Sequence, residues 1–256
     1  MINEYAVIHP SAKLAAGVTV GPGTIIGADV SIGEGTWIGP HVVIQGPTTI
    51  GKHNKIFQFA SIGDEPQDIT YNGEPTQLEI GDGNVIREFC TISRGTVKGG
   101  GITRLGNNNF LMAYTHVGHD CMVGNHIIMV NYSALAGHVM VEDYANIGPY
   151  AAVHQFCRIG MYSFIARATY ITKDVIPYVM IAGHTTSAYG INSVGLRRRG
   201  FSSETIDCLR RAYKIVFRKG LTVQQAITEL AQLQKSCAEV ELIIDALRQS
   251  TRGIVR

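Results

Sequence analysis

Charge is the first thing this sequence has little of. Asp, Glu, Lys and Arg make up 16% of its 256 residues, against the usual quarter. The signs nearly cancel, 22 basic against 20 acidic for a net +2, so composition gives no support for nucleic-acid binding. Cysteine is also scarce. Cys90, Cys121, Cys157, Cys208 and Cys237 are odd in number and show no C-x-x-C spacing, which points to reduced, buried thiols in a cytosolic protein. No apolar run approaches bilayer-spanning length. The start, MINEYAVIHP, lacks the basic-then-apolar pattern of a secretory signal. The expectation is a cytoplasmic protein without stable membrane insertion. An apolar content of 45% excludes intrinsic disorder, and glycine does not recur at every third residue as collagen requires. Glycine is nevertheless abundant, 29 residues, which suggests many short buried strands separated by tight turns.

A six-residue period organises most of the chain. Branched aliphatics stand at Ile2, Ile8, Leu14, Val20, Ile26, Ile32, Ile38, Ile44, Ile50, Ile56 and Ile62. The beat returns at Ile80, Ile86 and Ile92. It slips by one residue and then runs from Leu105 to Ile171. Neither a helix of period 3.6 nor a strand of period 2 explains this. A parallel β-helix does: each hexapeptide is one short strand plus a turn, and three make an 18-residue triangular coil. The aliphatics stack inward, and the glycines that follow them supply turns with positive φ or little room. Ile62 and Ile80 are 18 residues apart, which predicts that register is kept around the first interruption. Two external loops are expected, near 64–79 and 93–104. The second carries a glycine triplet and reads as mobile.

From about residue 191 helical spacing replaces the beat. Ile206, Leu209, Tyr213, Val216 and Phe217 form one stripe, with Ser202 as N-cap and Gly220 just past the end. Thr222 and Gln225 make a capping box before a second helix, and Val240, Ile243, Ile244 and Leu247 mark a third. The division is therefore a β-helix over 1–190 and a helical domain over 191–256. The latter carries 12 basic and 6 acidic residues, with LRRRG, Arg210, Arg211, Lys214, Arg218 and Lys219 as a basic face suited to an acidic partner.

The coil length makes the histidines readable. His138 lies 18 residues after Asp120, Gly137 lies 18 after His119, and His154 lies 36 after Gly118. His116, His119, Asp120, His138 and His154 therefore gather on one patch. Two chemistries fit. His119 acts as a general base, Asp120 fixes its tautomer, and the Gly137 N–H receives an oxyanion. Asp120 can assist only if the backbone turns there, because adjacent strand residues point to opposite faces. Alternatively three histidines bind zinc and activate water, a hydratase of the gamma carbonic anhydrase kind.

THVGHDC, PQDITYNGE, RGTVKGGG, AGHV, VHQFC, GLRRRGFS and the terminal STRGIVR, with the hexapeptide register, resemble the bacterial UDP-N-acetylglucosamine O-acyltransferases over essentially the full length. The resemblance implies a left-handed parallel β-helix followed by a small α-helical C-terminal domain, assembled as a homotrimer. It implies transfer of an (R)-3-hydroxyacyl group from acyl carrier protein to the 3-hydroxyl of UDP-N-acetylglucosamine, the first step of lipid A biosynthesis, with no metal or cofactor. By motif, His119, Asp120 and Gly137 match the catalytic set. His116, His138 and His154 match residues placing the sugar and acyl chain, and Asp68 a carboxylate binding the glucosamine. Gln155, Asn192, Arg198 and Arg199 match the nucleotide contacts. Ala166 and Arg167 match the acyl-chain ruler, where a large charged Arg167 implies a shorter chain or a differently ended groove. Thr70 replaces a lysine common in the family, Val194 a glutamate and Ser93 a histidine. The N-acyltransferase of the same pathway shares the solenoid and base, but its extra N-terminal domain has no room before a beat that starts at Ile2. A non-enzymatic solenoid would need neither the histidine patch nor the charged tail.

Overall fold

The computed structural model describes residues 1–183 and 186–256. Strands of mostly two residues stack into three walls around a triangular core. The first wall has nine strands, from Val7–Ile8 through Thr91–Ser93, His116–Val117, Ala134–Leu135 and Ala152–Val153 to Tyr170–Ile171. The second has eight, from Lys13–Leu14 to Arg158–Ile159, and the third ten, from Thr19–Val20 to Val179–Ala182 and Ser187–Ile191. The last pair is antiparallel, whereas the coil-to-coil ladders are parallel, as in Val117 on Leu135 and Leu135 on Val153. Alternation explains why two residues suffice for a strand: one side chain points in and its neighbour out. Ile38, Ile44, Ile56, Ile62, Ile86 and Leu111 are fully buried, each contributing on the order of 1.5–3 kcal/mol.

Two expectations about this winding need correction. Of the glycines that directly follow the aliphatics, Gly63 has positive φ (73°), whereas Gly21, Gly27, Gly33, Gly39 and Gly51 serve close approach alone. A Cβ on Gly33 would lie 2.5 Å from the Gly51 carbonyl carbon of the next coil. Positive φ occurs two residues later, and in the second half of the solenoid it falls on non-glycine residues such as Asp120 (59°), His138 (62°) and Tyr144 (63°). Register around the first loop is kept in steps of six but not of eighteen. Ile80 pairs with Ile50, and Ile92 with Ile62, so Ile80 falls on the second wall rather than under Ile62. The loop lengthens one coil without disturbing the walls.

Both loops leave from the corner between the first and second walls. One joins Ser61–Asp64 to Gln77–Ile80 and the other Thr91–Ser93 to Ile102–Leu105. On the next coil the same corner carries Gly118 to Cys121. The loops therefore overhang the position of His119. The five cysteines are all buried and free.

Four helices follow: α1 (Ser193–Arg198), α2 (Ser203–Arg218), α3 (Val223–Gln234) and α4 (Val240–Gln249). Ser202 caps α2 by accepting from the Thr205 N–H, and Gly220 lies past its end at φ 68°. The Thr222–Gln225 capping box is formed in both directions. Helix α1 was not foreseen; the Asn192 side chain starts it by accepting from the Gly195 N–H. The tail returns to the solenoid, where Ser250 Oγ donates to Asp174 Oδ2 at 2.7 Å. Among the described residues no helix is long and apolar enough to cross a membrane.

Candidate active site

A cleft of about 430 Å³ opens on the first wall beneath the two loops. Its lining includes Gln67, Ser93, His116, His119, Gly137, His154, Gln155 and Tyr170. Ladder pairing explains the convergence, since His116 stacks on Ala134, Ala134 on Ala152 and Ala152 on Tyr170. Side chains far apart in the chain thus become vertical neighbours on one outward face.

The turn required for Asp120 is present. Its left-handed φ of 59° turns the chain at the corner between the first and second walls, and its Oδ2 lies 2.8 Å from His119 Nδ1. A carboxylate only accepts, so Nδ1 carries a proton, and the neutral form of the ring has its lone pair on Nε2. Gly137 packs against the ring; a Cβ there would lie 2.4 Å from His119 Cε1 and 2.6 Å from Nε2. The Gly137 N–H, like the equivalent amides of His119 and Gln155, donates to no described acceptor. An imidazole and an amide without an acceptor thus adjoin one another on successive coils.

His138 stands behind the pair, its Nε2 3.7 Å from Asp120 Oδ2 and its ring nearly perpendicular to that of His119. It stacks on Phe156 at 4.3 Å. Burial pushes its protonation below the usual histidine range, which keeps it neutral near pH 7. The same holds for His116, again mainly through burial; its Nδ1 lies 2.7 Å from Thr91 Oγ1. Neutral neighbours leave the Asp120 charge to His119. His154 Nδ1 lies 3.1 Å from the Gln155 carbonyl oxygen and 3.5 Å from Arg252 Nη2.

Residues not singled out from the sequence complete the site. Asp120 accepts from Thr96 through both N–H (2.8 Å) and Oγ1 (2.7 Å), and its own N–H donates to Thr103 Oγ1. The second loop, read as mobile, is tied down at this point. A short 3₁₀ turn, Val97–Gly99, is capped by Thr96, and a Cβ on Gly99 would meet Asp120 Cγ at 2.0 Å. From the same turn Lys98 Nζ donates to Thr70 Oγ1 at 2.8 Å, and that hydroxyl donates to Asp68 Oδ1 at 2.9 Å. Hydrogen bonds from the Thr70 backbone and side chain hold the Asp68 carboxyl below its usual range, with smaller help from Lys98 and His119. An ammonium therefore reaches the first loop although Thr70 stands where the family commonly has lysine.

Other residues are not brought to this cleft. Asn192 and Arg198, with Val194, line a separate cavity of about 410 Å³ on the third wall beside Asn146 and Phe164. The Arg199 guanidinium lies 4.3 Å above the Tyr144 ring. Gln155 is thus parted from the other expected nucleotide contacts within one chain, because α1 starts beside the third wall. Ala166 and Arg167 line a third cavity, about 610 Å³, with Pro149 and Tyr150, and Arg167 is exposed rather than buried.

His119, Asp120 and His138 present donor atoms within 4.8 Å of one another, the sole such metal-capable group among the described residues. The fit to zinc is poor. A hydratase of the expected kind needs three histidines, and here the third donor is a carboxylate whose oxygens already serve Thr96 and His119.

A parallel solenoid of hexapeptides with a carboxylate-oriented histidine beside a glycine amide defines a hexapeptide-repeat acyltransferase. The family model described as bacterial transferase hexapeptide (six repeats) matches residues 29–56, and that described as UDP N-acetylglucosamine O-acyltransferase, domain 2, matches 174–255. The acyl-(acyl-carrier-protein)–UDP-N-acetylglucosamine O-acyltransferase of Pseudomonas entomophila (strain L48) is 56% identical over 255 residues, covering 100% of this chain and 99% of its own. Two solved structures are similar over 100% of this chain and 99% of theirs. LpxA from Acinetobacter baumannii has a TM-score of 0.97 at 49% identity, and UDP-N-acetylglucosamine O-acyltransferase (LpxA) from Moraxella catarrhalis RH4 has 0.98 at 47%. The chain belongs to the UDP-N-acetylglucosamine O-acyltransferase family; it is an acyltransferase, and its β-helix is left-handed.

Proposed function

We propose that this enzyme moves an (R)-3-hydroxyacyl group from the thioester of acyl carrier protein to the 3-hydroxyl of UDP-N-acetylglucosamine, the first step of lipid A biosynthesis. The observation that carries this reading is the His119–Asp120 pair, whose Nδ1 bond leaves Nε2 free beside the Gly137 amide. His119 Nε2 takes the proton of the sugar hydroxyl as its oxygen attacks the thioester carbonyl. The Gly137 N–H stabilises the tetrahedral oxyanion, and the carrier thiolate leaves with the proton returned by His119. Asp120 orients the imidazole and stabilises its cation. Asp68 binds the glucosamine, while His116, His138 and His154 place the sugar and acyl chain.

The nucleotide site is completed by a second copy of the chain. Gln155 lines the first-wall cleft, Asn192 and Arg198 line the third wall, and Arg199 lies over Tyr144 at the third wall's corner with the second, so first wall against third wall brings them together. Such head-to-tail contacts close into a ring, here a homotrimer. The corner between those walls supports this arrangement, because Phe59, Phe89, Tyr114, Tyr132 and Tyr150 form an exposed stack along it. Guanidinium forks suit the pyrophosphate. Acyl carrier protein, an acidic partner, docks on α2. Arg210 and Lys219 there are paired with Asp207 and Glu229, which leaves Arg211 and Lys214 to steer it. Ala166 and Arg167 close the far end of the acyl groove.

The test is turnover of UDP-N-acetylglucosamine with a panel of (R)-3-hydroxyacyl carrier proteins, with the acylated position located by mass spectrometry. O-acylation at the 3-position, with shorter chains preferred, is the expected result. Absence of transfer from every donor overturns the reading, and preference for fourteen or more carbons overturns the role given to Arg167.

A further inference from the structure

We propose that Thr96 is a positioning residue for His119, acting through Asp120. The proposal rests on the reading of His119 as the base. The Asp120 side chain is 1% exposed, and its orientation decides which imidazole it serves. Oδ2 lies 2.8 Å from His119 Nδ1 but also 3.7 Å from His138 Nε2, so a modest rotation of the carboxylate exchanges one partner for the other. Thr96 blocks that rotation. Its N–H holds Oδ1 at 2.8 Å and its hydroxyl holds Oδ2 at 2.7 Å, one donor on each oxygen. The same oxygen accepts the Gly99 N–H at 3.2 Å, which ties the hydroxyl to the turn as well as to the carboxylate. Thr96 is itself buried, and Gly99 lets the turn close onto the carboxylate, since any side chain there collides with Asp120 Cγ. The second loop is thus a cradle for the orienting carboxylate, assembled one coil before the histidine it serves.

The experiment uses the full chain and four variants: Thr96→Val, Thr96→Ser, Asp120→Ala and the Thr96→Val/Asp120→Ala double. Thr96→Val keeps shape and the amide donor but loses the hydroxyl. It is expected to lower kcat about ten- to a hundredfold, the scale of a misplaced reacting group, with KM within about twofold. Thr96→Ser restores kcat. In the Asp120→Ala background Thr96→Val makes no further difference, because the group it acts through is gone. A normal kcat for Thr96→Val, or an equal loss in both backgrounds, overturns the proposal. Thermal melts confirm folding, and Gly99→Ala, which drives the cradle off the carboxylate, should reproduce the kcat loss if Thr96→Val is unstable. Wild-type turnover separates failure of this proposal from failure of the functional reading. If wild type transfers nothing, the downfield proton resonance of the His119–Asp120 bond decides: it must be present in wild type and Thr96→Ser and displaced in Thr96→Val, and an unchanged resonance in Thr96→Val overturns the proposal.

Discussion

Two corners of the triangle use one backbone device for different ends. Between the third and first walls, Phe59, Phe89, Tyr114, Tyr132 and Tyr150 occupy the left-handed position at φ 58–63° and stack at 4.7–5.1 Å. Between the first and second walls the equivalent positions hold Asp120, His138 and Phe156 at φ 59–64°. Left-handed geometry costs an L-residue roughly 1–2 kcal/mol. Along the aromatic corner, ring pairs worth about 0.5–1.5 kcal/mol each offset that cost. At Asp120 it is offset by hydrogen bonds to a charged group, about 1.5–3 kcal/mol each. The lesson is that the turn is generic. The side chain placed on it, and what overhangs it, separates a structural edge from a reactive one.

The contrast breaks most severely at the reactive corner. His119→Ala should lower kcat on the order of 10²–10⁴-fold, the contribution of a positioned base, with circular dichroism and oligomeric size unchanged. Wild-type-like turnover in that variant refutes the assignment. Gly137→Ala keeps the amide but drives a methyl into the His119 ring; about a hundredfold loss in kcat is expected, measured beside a thermal melt that stays near wild type. At the aromatic corner, Tyr132→Asp sets a charge within the ring stack. The expected outcome is a shift from the proposed trimer to monomer by light scattering, with the far-ultraviolet spectrum of the solenoid retained.

The smallest effect concerns pH. Burial holds His116 and His138 neutral in the folded state, while the unfolded chain protonates them near pH 6.5. The unfolded state therefore binds more protons as pH falls below that value, and stability drops. The melting temperature should be lower at pH 5 than at pH 7.5, and His138→Gln should shrink the difference. An identical pH dependence in that variant counts against a neutral His138.

Periodicity made the walls legible because an inward aliphatic every six residues admits few other arrangements, and the cap residues Ser202 and Thr222 announced α2 and α3. The same arithmetic brought Gly137 to His119 and His138 to Asp120. It failed where spacing carries no information about direction. Ile80 kept the beat yet moved to another wall, because a loop changes the coil length without changing the phase. Thr96 and Lys98 went unread because a glycine triplet looks alike whether it frees a loop or lets it close on a carboxylate.

From the amino-acid order alone came the three-walled solenoid, the helical tail and the clustering of His116, His119 and His154, all consequences of local burial repeated at a constant interval. The folded chain alone decided that Asp120 turns back to His119, that Thr96 holds it there, and that Asn192 and Arg198 face away from the cleft. Those outcomes depend on corner dihedrals and on contacts between separate coils, which no periodic pattern encodes.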